Sequence, residues 1–300
     1  MADQAESLRE LMKNQNGDNS NTNTAILEST PEKTTGKTRI IAVASGKGGV
    51  GKTNISANLA ITYAKLGKKV VILDADLGLA NVNVILGIIP KFNLYHVIRK
   101  QKTMEEIIYE TDYGIRMIAG ASGFSRIANL TEDERQIFIS SFQAFDDADI
   151  LIVDTSAGVS ESVLSFLEAA DDVIIVTTPE PTAITDAYGI IKVMSTEIDR
   201  TDLNIKLIVN RTQSVMEGKK VATRVINIAG QFLNQKIDYL GCVFDDIAVQ
   251  NCVRKQKPFT IYEPKCKASM CLDHLVHRLE NIEYKEGKGL NSFIRKFINK

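Results

Sequence analysis

Residues 40–53 read IIAVASGKGGVGKT, a short apolar run that gives way at once to a glycine-rich loop, and no other stretch restricts the possible folds so tightly. Ile40, Ile41, Val43 and Ala44 make a strand that is apolar on both faces, the pattern of a parallel sheet covered by helices above and below. Gly46 to Thr53 then fits the phosphate-loop spacing G-x-x-x-x-G-K-T. Glycines at Gly46, Gly48, Gly49 and Gly51 let successive backbone N–H groups, with that of Val50, turn inward around phosphate oxygens without Cβ obstruction. Lys52 brings a positive charge for the β- and γ-phosphates, and the Thr53 hydroxyl is placed to ligate Mg²⁺. A helix expected from about Asn54 to Leu66 aims its positive N-terminal end at the same phosphates.

Beyond the loop, apolar runs and helical periodicities take turns along the chain. Strands are expected at Val70 to Asp74, Ile115 to Ile118, Ile150 to Asp154, Val173 to Thr177, Ile205 to Asn210 and Tyr239 to Val243. Helical patterns fall near 131–145, 160–169, 182–198 and 219–234. This alternation implies βαβ crossovers, hence an α/β fold with a mostly parallel sheet sandwiched by helices. Ligands of such sheets bind at the carboxyl ends of the strands, where Gly46, Asp74, Asp76 and Asp154 fall.

Three hundred residues suffice for one large domain with a sizeable core, and 44% hydrophobic with 24% charged residues is ordinary for a globular chain. A net charge of −1 argues against a nucleic-acid partner. No run approaches the roughly 18 apolar residues of a membrane span. The opening MADQAESLRE lacks the plan of a secretory signal, so a cytosolic location is expected. Cys242, Cys252, Cys266 and Cys271 form no C-x-x-C pair. Cys266, Cys271, His274 and His277 are ligand types that zinc accepts, but three of them recur every three residues on an expected helix and fan around it, which favours reduced, unligated side chains.

Two carboxylates at strand ends extend the chemistry. Asp154 closes the run ILIVD, where a carboxylate on the Mg²⁺ side of a phosphate loop belongs, and Asp76 lies just past another strand end, where it can orient an attacking water. A helix-capping role is the plainer reading of a strand-ending Asp, but the intact phosphate loop weighs against it. Lys47 adds a cation near the start of the loop, and K-G-G-V-G-K-T resembles the deviant Walker A motif of the MinD/ParA family of ATPases. The resemblance covers residues 38–281 and implies a phosphate-loop NTPase fold of the SIMIBI class that binds ATP with Mg²⁺. It further implies an ATP-dependent sandwich homodimer in which Lys47 acts in trans on the partner's ATP. On it, Lys47, Lys52 and Asp76 are the catalytic residues, Asp76 in DADLGLANVNVILG matches the switch I aspartate, and Asp154 in DTSAG matches Walker B and holds Mg²⁺ with Thr53. Asn54 continues the phosphate site, Asn210 in VNR resembles the residue that reads the adenine edge, and Phe244 and Asp245 lie in the loop that completes the base pocket. Ser156 stands where the family often has Gly.

The two ends of the chain carry their own patterns. Asp3 to Met12 places Ala5, Leu8, Leu11 and Met12 at helical spacing behind a capping Asp3, too short a helix to stand alone. Residues 13–38, rich in Asn, Thr, Ser, Gly and Lys, read as a flexible linker to an ATPase domain at 39–284. An apolar face on a tether is a partner-docking peptide or a frayed terminus. At 285–300, Leu290, Phe293, Ile294, Phe297 and Ile298 form one apolar stripe among Lys288, Arg295, Lys296 and Lys300. That is the pattern of a helix lying on an anionic membrane or of one packed on the domain, and Gly287 and Gly289 favour a detachable, membrane-targeting segment.

Both DLGLANVNVILG, with Asn83 for a more usual Asp, and D-Q-A-x-x-L-R at Asp3, Gln4, Ala5, Leu8 and Arg9 are similar to the FlhG branch of the family, also called YlxH or FleN. That likeness implies a regulator of flagellar number and placement that stimulates an FlhF-type GTPase, meets flagellar basal-body components and sits reversibly at the inner face of the cytoplasmic membrane. The alternatives are a ParA-like DNA-partitioning ATPase, which needs a basic patch, and a nucleotide-switched adaptor with negligible turnover.

Overall fold

The computed structural model describes residues 38–76, 81–120, 141–145, 147–198, 203–233 and 235–281. The expectations for Asp3 to Met12, the linker to Lys37, a helix over most of 131–145 and the stripe from Leu290 to Ile298 therefore lie outside the described residues.

Strands β1 (Arg39–Ser45), β2 (Val70–Ala75), β3 (Tyr109–Glu110), β4 (Ile115–Ile118), β5 (Ile150–Ala157), β6 (Asp172–Thr177), β7 (Asn204–Thr212) and β8 (Ile237–Phe244) form one sheet. Its order is β3-β4-β2-β5-β1-β6-β7-β8. Every pairing is parallel except β3 with β4, a two-residue antiparallel edge that sequence reading did not foresee. β1 runs down the middle, and its side chains alternate between two cores as a pleated strand requires. Ile41 and Val43 enter the core shared with α1 (Lys52–Lys65) and α10 (Lys267–Leu279). Ala42 and Ala44 face the opposite core, with α5 (Glu161–Ala169), α6 (Pro181–Glu197) and α7 (Val215–Leu233). The expected helical sandwich is what forms, because strands apolar on both faces must be covered on both.

Short helices supply the remaining cover: α2 (Val82–Leu86), α3 (Leu94–Ile98), α4 (Met104–Ile107), α8 (Ile247–Arg254) and α9 (Phe259–Tyr262). At four to eight residues they carry too few periods to be read from hydrophobic spacing. Caps mark them instead: Thr103 and Glu106 make a reciprocal capping box on α4, and Asp246 caps α8. At the amino ends of the strands, Arg39 pairs with buried Asp172 at 2.5 Å and with Glu280 at 2.6 Å, while Tyr63 donates to Glu280 at 2.9 Å. The start of β1 and the end of α10 are thereby clamped together, opposite the carboxyl ends that carry the chemistry.

Candidate functional site

β1 delivers the chain to the sheet's carboxyl edge at Ser45, and the loop to Gly51 turns back into α1. The Ser45 hydroxyl donates to the Lys47 carbonyl at 3.0 Å, and Gly158 N–H, beyond β5, donates to the Ser45 carbonyl at 2.9 Å. Gly49 and Gly51 adopt φ of 81° and 92°, the left-handed region in which glycine is free of Cβ strain. A methyl on Gly48 or Gly49 would meet nothing within 4 Å, so the loop has open space at both, whereas one on Gly46 would overlap the Asp186 backbone carbonyl of α6. The loop leads directly into the N-terminus of a 14-residue helix, the arrangement of backbone N–H groups and helix dipole that suits phosphate.

Beside this cradle lie the two strand-end carboxylates, paired in register: Asp74 of β2 stands opposite Asp154 of β5. Both are fully buried. Lys52 Nζ donates to Asp154 Oδ1 at 2.9 Å, and Ser56 Oγ to the same oxygen at 2.6 Å. Asp154 Oδ2 is buried with no hydrogen-bond partner among the described residues. Asp74 accepts three backbone N–H groups, from Asp76 at 3.1 Å, Asn81 at 2.9 Å and Val82 at 3.0 Å. Burial first, then the negative charge of Asp154, pushes the Asp74 carboxyl up to about 7 against the pull of those donors.

A buried carboxylate oxygen without a partner fits a hard cation, and with the Thr53 hydroxyl at the start of α1 it offers the all-oxygen donor set that Mg²⁺ prefers. The residues present therefore fit the metal expected from sequence. Asp76 lies one residue past β2 and is half-buried, its backbone held by Asp74. Lys47, 41% exposed, turns to the beginning of α6, where Nζ donates to Thr182 Oγ1 at 2.9 Å and lies 3.5 Å from Glu180.

A cavity of about 510 Å³ adjoins the loop. It brings together the sequence-chosen Gly51, Asn54, Asn210, Phe244 and Asp245. Asn210 Nδ2 also donates to the Val50 carbonyl at 2.8 Å, so this side chain braces the phosphate loop as well as lining the cavity. Sequence reading missed the other wall: Val249 and Val253 of α8, with Gln250 and Arg254 beside them. The i, i+4 valines behind a strand end were the available signal. A larger cavity, about 720 Å³, lies between α3 and α4 and contains none of these residues. Cys266 caps α10, whose Cys271 thiol is pushed up to about 11 by burial, and among the described residues no three His, Cys, Asp or Glu side chains gather as a metal site.

A parallel sheet, a glycine loop entering a helix and paired strand-end aspartates define a phosphate-loop nucleotide-binding protein. A family model described as an AAA domain matches residues 38–209. The antiactivator FleN of Pseudomonas aeruginosa is 37% identical over 246 residues, covering 81% of this chain and 86% of that protein. The flagellum site-determining protein YlxH of Helicobacter pylori is 36% identical over 270 residues, covering 88% and 90%. In fold, the septum site-determining protein MinD of Pyrococcus horikoshii, solved with Mg-ADP, matches with a TM-score of 0.67 at 24% identity, covering 81% of this chain and 96% of that one. The chain belongs to the MinD/ParA family of ATPases, in the FlhG branch that includes FleN and YlxH.

Proposed function

We propose that this chain is a Mg²⁺-dependent ATPase that dimerises on ATP, attaches reversibly to the inner face of the cytoplasmic membrane and regulates flagellar number or placement through an FlhF-type GTPase. The observation that carries the enzymatic part is the divided carboxylate of Asp154, one oxygen shared by Lys52 and Ser56 and the other buried with no hydrogen-bond partner among the described residues. Lys52 exchanges Asp154 for the phosphates when ATP enters, and Asp76 orients a water in line with the bond to the leaving ADP. The water oxygen bonds to the γ-phosphorus as the β–γ bridge breaks, and Lys47 of a second copy neutralises charge on the transferring group. Thr53 and Asp154 would hold Mg²⁺, which would supply charge neutralisation for the phosphates when bound.

The flagellar part is supported by the names of FleN and YlxH and by the D-Q-A-x-x-L-R run at Asp3 to Arg9. Membrane attachment is supported by the apolar-basic stripe from Leu290 to Ile298. Phosphate release under single-turnover conditions, with anionic vesicles and the partner GTPase present, tests the reading. Lys52→Ala and Asp76→Ala are each expected to lower the rate by about 10² or more. Unchanged rates in both variants would leave a nucleotide-switched adaptor in its place.

A further inference from the structure

We infer that Asp74 is a positioning residue for hydrolysis: its buried carboxylate ties down the backbone on either side of the turn between β2 and α2, and so sets where Asp76 presents its side chain. This rests on the reading of Asp76 as the group that orients water. Three observations carry it. First, the two oxygens of Asp74 are divided between the two ends of the turn, Oδ1 accepting from Asp76 N–H at 3.1 Å and Oδ2 from Asn81 and Val82 N–H at 2.9 and 3.0 Å. One carboxylate thereby fixes the residue that carries the candidate catalytic group and the start of the helix that follows.

Second, the backbone that carries Asp74 is tightly packed. Gly120 packs so closely behind the tip of β2 that a Cβ there would overlap the Asp74 carbonyl and would stand 3.7 Å from that of Asp76. Third, the placement is unfavourable for a mere helix cap. Capping a five-residue helix needs only one acceptor, which Ser, Thr or Asn supplies without charge, yet here a second carboxylate is buried opposite Asp154. Three backbone N–H groups gathered on one buried side chain mark a position that fixes backbone geometry.

Steady-state and single-turnover ATP hydrolysis by the full chain tests this. Asp74→Asn removes one acceptor and turns an amide toward the N–H donors it formerly accepted from, so kcat should fall by roughly 10²-fold while KM for ATP stays within about 2-fold. Affinity for a non-hydrolysable analogue should be unchanged, because the phosphate loop is untouched. Gly120→Ala, which displaces Asp74 from behind and leaves its carboxylate intact, should show the same kcat-only loss. If Asp74→Asn does not fold, judged by its thermal transition, Asp74→Ser retains one acceptor and takes its place.

A residue acting through Asp76 adds nothing once Asp76 is gone, so the double variant with Asp76→Ala should hydrolyse at the rate of Asp76→Ala alone. A further drop in the double variant, an unchanged kcat in the single one, or a loss confined to KM would overturn the inference. If Asp76→Ala itself keeps full turnover, it is the role of Asp76 that fails, and the two failures are told apart.

Discussion

Gly46 and Gly48 stand two positions apart in the same motif, and the sequence treats them alike. The structure separates them. Gly46 lies against the backbone of Asp186, which cannot move as a side chain can, while Gly48 faces open space. Gly46→Ala is therefore expected to cost about 1–3 kcal/mol of stability through overpacking and to weaken ATP binding by shifting the loop. Gly48→Ala should leave the thermal transition within about 0.5 kcal/mol of wild type. Thermal melts with and without nucleotide decide it, and equal losses at both positions would refute the steric account. The same limit applies to the charges. The sequence leads one to expect Lys52 and Asp154 on the phosphate and metal sides of a loop, but it does not give their mutual hydrogen bond, which spans 102 positions and which no local pattern encodes. Asp74 was legible only as a strand end. Its three N–H donors, on Asp76, Asn81 and Val82, are two to eight positions away, and no hydrophobic pattern marks them.

Elements were legible in proportion to their burial. β4 runs from Ile115 to Ile118 as expected: Ile115, Met117 and Ile118 are buried, and Arg116 among them is only partly so. β5 and β7 extend past their expected ends into polar residues, to Ala157 and Thr212, where backbone pairing continues after the apolar signal stops. α8 escaped notice because it is short and its first residue, Ile247, is 65% exposed. Asp246 is what secures α8, accepting from Ala248 N–H at 2.9 Å and from Ala268 N–H of α10 at 3.3 Å. Partial burial opposes ionisation here, but these donors outweigh it and hold the Asp246 carboxyl below its ordinary value. Asp246→Ala should lower stability by about 0.5–2 kcal/mol. Because Val249 and Val253 of α8 line the cavity beside the phosphate loop, which the proposed function gives to the base, ATP affinity should fall with it. The sign with pH follows from the depressed folded-state value. The carboxylate's contribution is complete above the unfolded pKa of about 3.9 and disappears as pH drops through the folded one. Urea denaturation at pH 7 should therefore separate variant from wild type, and the gap should close in strong acid. A gap of constant size would show that lost packing, not the charged cap, is responsible.

At the scale of the molecule, the proposed function assigns roles to two segments read from the sequence, the run from Asp3 to Arg9 and the apolar-basic run from Leu290 to Ile298. What the structure adds is where the domain hands over to them. Arg39, at the start of β1, is ion-paired at 2.6 Å to Glu280, just past α10, so both handover points are clamped together at the amino ends of the strands. The phosphate loop lies at the opposite ends, and on the proposed function ATP acts on membrane attachment through assembly of the dimer. One short amphipathic helix binds lipid marginally, whereas two joined in a dimer bind with the effective concentration of a tethered pair, on the order of millimolar. With a non-hydrolysable ATP analogue, the full chain should co-sediment with anionic vesicles roughly 10²-fold more tightly than with ADP, and less so as salt rises. Removing residues 285–300 should abolish sedimentation while leaving dimerisation in solution intact. Removing residues 1–12 should leave sedimentation intact while abolishing stimulation of the GTPase. Equal sedimentation with ATP analogue and ADP would break the link between nucleotide and location, and an effect of the 1–12 deletion on lipid binding would show that the amino-terminal segment does more than recruit the partner.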